Sequence, residues 1–361
     1  MRPQPPEDPR EYRTWVIRRF ALPAVFVIAL FVVLWWRAGT DRQLIALSGP
    51  TMGTSWSLKV VVEGSPEPAA AKALQAAAAK AVDAVNASMS TYKKDSELSL
   101  FNQHASSDPF KVSDMLLEVL LEARATAEVS GGAFDVTVGP LVNAWGFGPD
   151  KELDPPSDLK LEKLRKRVGA DKVSVDQATS SVSKKRPDVY VDLSAIAKGY
   201  GVDRMAAALD GLGYTDFMVE IGGEVRAKGR NRSGAPWRIG VEQPADGQNR
   251  RVHTVVPLDN KAMATSGDYR NYIERDGKRL SHTIDPRTGR PIEHKAASVT
   301  VVADTCMTAD ALATALNVMG PEAGMKLADA KGWAVLMLVR EGEAFVERRT
   351  KAFETLVASQ P

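Results

Sequence analysis

The chain has 361 residues, 44% of them hydrophobic and 25% charged, an ordinary globular composition with room for one large domain or two. Its net charge of +2 calls for no acidic partner and no nucleic acid. The one cysteine, Cys306, excludes an intrachain disulfide and a cysteine-rich zinc site.

Phe20 to Trp36 carries no charge. The run is at the short end of the ~17–25 residues that span a bilayer and longer than the ~7–15 apolar residues of a signal-peptide core. Pro23 falls in its first turn, where proline is tolerated, and Trp35 and Trp36 would meet the far interface. Arg2, Arg10, Arg13, Arg18 and Arg19 precede it, while Arg37 and Arg42 follow, which places the N-terminus in the cytoplasm. No small-x-small cleavage pattern follows at once, so the run reads as an uncleaved anchor, with a cleaved signal as the alternative. No cysteine lies close behind it to carry a lipid. Residues 1–19 then form a cytoplasmic tail, 20–36 a single-pass transmembrane helix and 37–47 a tether. A folded domain occupies 48–350 on the periplasmic or outer side of the inner membrane, and 351–361 form a C-terminal tail.

Thr51-Met-Gly-Thr begins a strand that alternates to Val62. Gly53 permits close approach of backbone to a ligand or serves a strand-entry turn. Residues 69–89 are alanine-rich with apolar residues at helical spacing, hence a long helix. It ends in a polar loop where Tyr92 can stack on a flat ring or lie half buried. A second helix spans Val112 to Ser130 and stops at Gly131-Gly132. Asp135 then sits between apolar neighbours in a turn, and Leu141 to Gly148 is a pocket wall or a packed turn. Pro149 to Ser157 is a surface excursion, Leu159 to Val168 a basic helix, and residues 173–183 a hairpin.

Val189 to Asp203 reads as a strand passing into a helix. It delivers Asp192 and Ser194 to a turn, with Lys198 four residues after Ser194. Unpaired backbone N–H groups at such a helix start suit an anion, and a lysine suits phosphate. A capped helix start with a solvated lysine is the plainer reading. Phe217 to Gly229 is a hairpin closed by Gly222-Gly223, and strands follow at 237–242, 251–258 and 297–303. His282 stands at a strand end before the Asp285-Pro286 turn, in a structural or a catalytic role. A helix begins at Thr305, a second covers 321–330, and strands lie at 333–339 and 344–347. Strands and helices without strict alternation predict an α+β fold. No G-x-G-x-x-G, phosphate-loop lysine or H-E-x-x-H motif is present.

Asp310 and Thr314, four apart on one helix, share a face. Their oxygens suit a hard cation such as magnesium, which completes its shell with phosphate and water. Alternatively the acid complements the helix dipole and the threonine faces the core.

Eight ordered pieces carry a resemblance. They are Met52-Gly-Thr54; Met89 to Ser99; Gly132-Ala-Phe-Asp135; Asp192-Leu-Ser-Ala-Ile-Ala-Lys-Gly-Tyr200; Ile221-Gly-Gly-Glu224; Ala264-Thr-Ser-Gly-Asp-Tyr269; Ser281-His-Thr-Ile-Asp-Pro-Arg-Thr-Gly289; and Thr308 to Thr314. Together they resemble the flavin transferase family, ApbE, over roughly residues 48–350. The resemblance implies a T-fold type of α+β domain and an FAD:protein FMN transferase. Such an enzyme moves FMN from FAD to a Thr or Ser hydroxyl of a partner protein and releases AMP. By matching position, Asp310, Thr314 and the carbonyl of Ala195 would hold magnesium. Met52, Tyr92, Ala133, Phe134, Asp135, Asp192, Lys198 and His282 would line the FAD site. His282 is the candidate proton acceptor, with a nearby carboxylate as competitor. The implied partners are extracytoplasmic flavoprotein subunits of membrane redox complexes. Many members are anchored through a lipidated cysteine, which this chain lacks near its N-terminus. FAD hydrolysis to FMN and AMP, or a membrane-anchored flavin-binding module without activity, are the competing readings.

Overall fold

Met52 and Gly53 take φ of 48° and 70°, the positive pair that a two-residue hairpin turn needs. They fold Arg42–Thr51 (β1) back onto Thr54–Glu63 (β2) in register from end to end. Trp56 of β2 is buried over Gly49 of β1, where a Cβ would meet the indole at 2.8 Å. The tether expected over 37–47 is therefore corrected: from Arg42 onward it is strand, and Ile45 is part of the core. The computed structural model describes residues 8–21, 24–30, 42–148, 154–244, 251–267, 272–275, 278–342 and 344–358.

Near the N-terminus, Pro9–Val16 (α1) is capped by the Asp8 carboxylate, and residues 24–30 are helical. Most of the rest of the apolar run expected to span a membrane lies outside the described residues. Among the described residues no helix is long and apolar enough to cross one.

Pro68–Met89 (α2) buries Leu74, Ala78, Val82, Val85 and Met89, a stripe at helical spacing. Glu97–Gln103 (α3) and Asp114–Val129 (α4) start on serine caps, Ser96 and Ser113. Phe110–Lys111 (β3), Val173–Asp176 (β4) and Ser181–Lys184 (β5) form a small sheet of order β3-β5-β4. Gly139–Ala144 (α5) and Asp158–Arg165 (α6) lie between them in the chain.

Ala197–Gly211 (α7) follows, then the hairpin of Phe217–Ile221 (β6) and Glu224–Lys228 (β7), turned at Gly222-Gly223. Trp237–Glu242 (β8) pairs with Val252–Leu258 (β9). Lys261–Gly267 (β10) follows. Tyr272–Arg275 (β11) pairs with Lys278–Ser281 (β12), and Ile284–Asp285 (β13) with Arg290–Pro291 (β14). Ala296–Ala303 (β15) leads to Cys306–Lys331 (α8), which kinks at Gly320 ahead of Pro321, so the two expected helices are one interrupted element. Ala334–Glu341 (β16), Ala344–Arg349 (β17) and Lys351–Ala358 (α9) close the chain.

The main sheet has eight antiparallel strands in the order β1-β2-β6-β7-β10-β15-β16-β17. Helices α2, α7 and α8 join its strands in two apolar clusters, while the β8–β9 hairpin and α9 share another with Val225, Val302 and Leu338. Ala296 to Val302 is accordingly buried at every position, a strand covered on both faces. The expected C-terminal tail is corrected too: α9 inserts Phe353 fully into the cluster it shares with the β8–β9 hairpin. The fold is α+β, as expected.

One strand expected from the sequence is absent. Val189, Val191 and Asp192 are buried and Tyr190 is half-buried, but the stretch joins no sheet. Its ladder partner is a side chain: Asn102 accepts from the Val191 N–H and donates to the Val191 carbonyl, both at 2.8 Å. The Asp192 N–H donates to the Val136 carbonyl at 2.7 Å.

Candidate active site

Two matching turns form one wall. The Asp135 carboxylate accepts from the Thr137 N–H at 2.8 Å and its hydroxyl at 2.6 Å. The Asp192 carboxylate does the same with Ser194, at 2.9 and 2.5 Å. Each aspartate thus ties its own turn, and the Asp192–Val136 backbone bond locks the two together. Burial raises the Asp135 pKa despite the opposing bonds from Thr137.

The floor is built where α7 meets α8. At Gly199 a Cβ would lie 2.3 Å from the Cys306 carbonyl oxygen and 2.8 Å from the Asp310 Cβ. Only glycine lets the helices approach so closely, and the approach allows the Gly199 N–H to donate to Asp310 Oδ2 at 2.9 Å. Asp203 fixes the same joint: it accepts from the N–H groups of Cys306 and Met307 at 3.0 and 2.9 Å and pairs with Arg226 of β7 at 2.5 Å.

Lys198, in the first turn of α7, pairs with Glu224 at 2.5 Å. Glu224 is 3% exposed, and its Oε2 is buried without a hydrogen-bond partner. Burial and the nearby Asp310 push the Glu224 carboxyl up to about 7 against the pull of Lys198. Asp310 is raised by burial, opposed by Lys198 and the Gly199 N–H. Burial alone would depress the Lys198 ammonium, but the Asp310 and Glu224 carboxylates outweigh it and hold its pKa above the ordinary lysine value.

The upper walls are less deeply held. His282 follows β12 with its ring edge-on to Phe147, centroids 6.3 Å apart. Its loop is pinned by the Asp285–Arg287 pair at 2.9 Å, by Trp145 donating to the Gly289 carbonyl at 2.9 Å and by Arg165 donating to the Arg287 carbonyl at 2.7 Å. Tyr92 is 71% exposed at the rim.

All eleven residues named from the sequence line one cavity of about 1350 Å³: Met52, Tyr92, Ala133, Phe134, Asp135, Asp192, Ala195, Lys198, His282, Asp310 and Thr314. The Met52-Gly53 and Gly222-Gly223 turn tips also line it. Of the matching pieces, Asp268 and Tyr269 lie outside the described residues, while Ala264 to Gly267 belong to β10. His253 pairs with Glu347 at 2.6 Å, away from this cavity.

Sequence reasoning gave Glu224 no role. Its signal in the sequence was a carboxylate opening a strand directly after a Gly-Gly turn, at the end of the Ile221-Gly-Gly-Glu224 piece; the structure then buries Glu224 and Val225 in succession, where alternation expects one to face out.

No cluster of three or more His, Cys, Asp or Glu side chains able to hold a metal occurs among the described residues. A hard cation does not require one. A carboxylate, a hydroxyl and a backbone carbonyl, as Asp310, Thr314 and Ala195 supply, are oxygen donors of the kind magnesium takes. The buried Glu224 and Asp310 carboxylates face a single ammonium, so added positive charge would be favoured there.

Residues 52–337 match the model of the ApbE family. A Vibrio cholerae protein described as FAD:protein FMN transferase is 49% identical over 324 residues, 89% of this chain and 96% of its own. A Haemophilus influenzae protein of the same description is 46% identical, over 89% of this chain and 93% of its own. Among solved structures, the flavin transferase ApbE from Vibrio cholerae superposes with a TM-score of 0.80 at 46% identity, covering 88% of this chain and all of its own. The apo Pseudomonas stutzeri flavinyl transferase ApbE gives 0.79 at 38% identity, covering 88% and 97%.

Proposed function

Since the chain belongs to the ApbE family and is an FAD:protein FMN transferase, we propose that it works with magnesium and modifies a Thr or Ser hydroxyl of a partner flavoprotein. The observation that carries this reading is the buried floor. Lys198, Glu224 and Asp310 meet beneath a cavity whose aromatic and methionine walls suit a flavin dinucleotide.

Asp310, Thr314 and the Ala195 carbonyl would hold the metal, which when bound offsets charge on the diphosphate oxygens. Lys198 presents its ammonium to the same diphosphate, while the N–H groups of Ala197, Gly199 and Tyr200 at this helix start are already taken by Leu193, Asp310 and Ile196. Met52, Tyr92, Ala133, Phe134, Asp135 and Asp192 orient the remainder of FAD. The acceptor hydroxyl oxygen bonds to the FMN phosphorus while the bond from that phosphorus to the bridging oxygen breaks. AMP leaves with the electron pair, and His282 takes the hydroxyl proton. We place the domain on the periplasmic or outer side of the inner membrane, behind the apolar run at 20–36. There its acceptor is a subunit of a membrane redox complex.

The test incubates the protein with FAD, magnesium and a candidate acceptor, then reads the acceptor by mass spectrometry. A covalent FMN adduct on Thr or Ser with equal AMP release is expected, and Asp310→Ala should abolish both the adduct and the metal dependence. AMP release as fast without acceptor as with it would instead make the protein a hydrolase. Wild-type rates in Asp310→Ala would remove the metal assignment.

A further inference from the structure

Lys198 has two acidic neighbours and is paired with one. Its ammonium lies 2.5 Å from Glu224, on β7, while Asp310 of α8 accepts from the Gly199 N–H, one residue along the helix. Lys198 and Gly199 share the first turn of α7, so the ammonium is within the reach of a lysine side chain of Asp310. Asp310 is among the charges that hold the Lys198 ammonium above its ordinary value, in agreement with that proximity. Glu224 itself is 3% exposed, and nothing else bonds to its second carboxylate oxygen. Burying a carboxylate with one partner is costly, so its place on the floor needs a reason beyond filling space.

We propose that Glu224 is a positioning residue: it draws the Lys198 ammonium away from Asp310 and leaves that carboxylate open to a divalent cation. Without the Glu224 charge, the ammonium's best partner is Asp310, and lysine and cation compete for one carboxylate. With it, Lys198 stays on Glu224 and leaves Asp310 to the cation. This rests on the reading that Asp310 takes magnesium.

The test measures Mn²⁺ binding to the full chain by electron paramagnetic resonance, in the absence of FAD, so turnover plays no part. Four proteins are compared: wild type, Glu224→Gln, Lys198→Met and the double variant. If lysine occupies Asp310 nine-tenths of the time in Glu224→Gln, the apparent Mn²⁺ Kd rises about tenfold. Restoration of the affinity in the double variant, where no ammonium remains to compete, is the decisive expected result. A loss in Glu224→Gln that persists in the double variant would overturn the proposal, because Glu224 would then act independently of Lys198. Unchanged Mn²⁺ binding in Glu224→Gln would also overturn it. Glu224→Asp guards against a folding defect: it keeps the charge, so it should bind Mn²⁺ more tightly than Glu224→Gln, and equal weakening would count against the proposal. Failure of the wild type to bind Mn²⁺ at all would sink the magnesium reading itself, an outcome distinct from these.

Discussion

At the cavity floor, Lys198, Glu224 and Asp310 are held by each other and by neighbouring backbone, with α7, α8 and β7 clamped together through Asp203. At the rim, Tyr92 keeps 71% of its surface in solvent, and its N–H donates to the Ser90 hydroxyl two residues earlier at 3.2 Å. The loop of His282 stands between these extremes, fixed by its neighbours but open to the cavity. The floor, where charge must be met in a fixed geometry, is therefore set before a ligand arrives. The rim residue Tyr92 is exposed and, among the described residues, held only by its own turn. Preorganised charge of this kind is the larger part of most phosphoryl-transfer catalysis, so damage to the floor should cost more than damage to the rim.

Gly199→Ala is the sharpest way to break that contrast. The added Cβ would lie 2.3 Å from the Cys306 carbonyl, which is backbone and cannot rotate aside, so α8 must move and carry Asp310 with it. A misplacement of about 1 Å at a reacting centre costs on the order of 10²-fold in rate, and overpacking costs about 1–3 kcal/mol of stability. Transfer should fall by at least that factor, and thermal unfolding should move down. Gly211→Ala is the internal control: at the far end of the same helix its Cβ meets nothing within 4 Å, and it should be neutral or better. Equal effects at the two glycines would mean that the floor is not specially constrained.

How much of this was legible in the sequence follows the same division. Local signals were strong where one turn or one helix face decides. Gly222-Gly223 announced its hairpin, and the spacing of Leu74, Val82, Val85 and Met89 announced α2. They failed where a distant partner decides. Val189 to Val191 has strand composition, but the side chain of Asn102 took the place of a neighbouring strand. Residues 42–47 gave little sign of being strand without β2 beside them, and Phe353 gave little sign of being core without β8, β9 and β16. The candidate site residues were gathered from motif resemblance, since no spacing rule connects Lys198 to Glu224 or Gly199 to Asp310 across 111 positions. Glu224 was missed because its partner could only be identified in three dimensions.

His282→Gln probes the middle ground. If the imidazole takes the acceptor proton, FMN transfer should drop by roughly 10²–10⁴-fold, the usual contribution of a positioned base. FAD affinity, read by quenching of flavin fluorescence, should change only slightly, because the floor is untouched. An unaltered transfer rate would move the role of base to a carboxylate. A parallel loss of rate and FAD affinity would make the ring a binding group alone.

Tyr92→Ala should have the smallest effect and a different character. An exposed ring that stacks on a flat ligand contributes about 0.5–1.5 kcal/mol beyond the area it covers, which is roughly 2- to 12-fold in affinity. That interaction is made equally in the ground state and the transition state, so it should appear as a raised KM for FAD with kcat nearly constant. Tyr92→Phe should restore most of it, since the hydroxyl is not needed for stacking. A fall in kcat as large as that of His282→Gln would show that this exposed residue also orders the reacting groups, and the division between a fixed floor and an exposed rim would then have to be redrawn to include it.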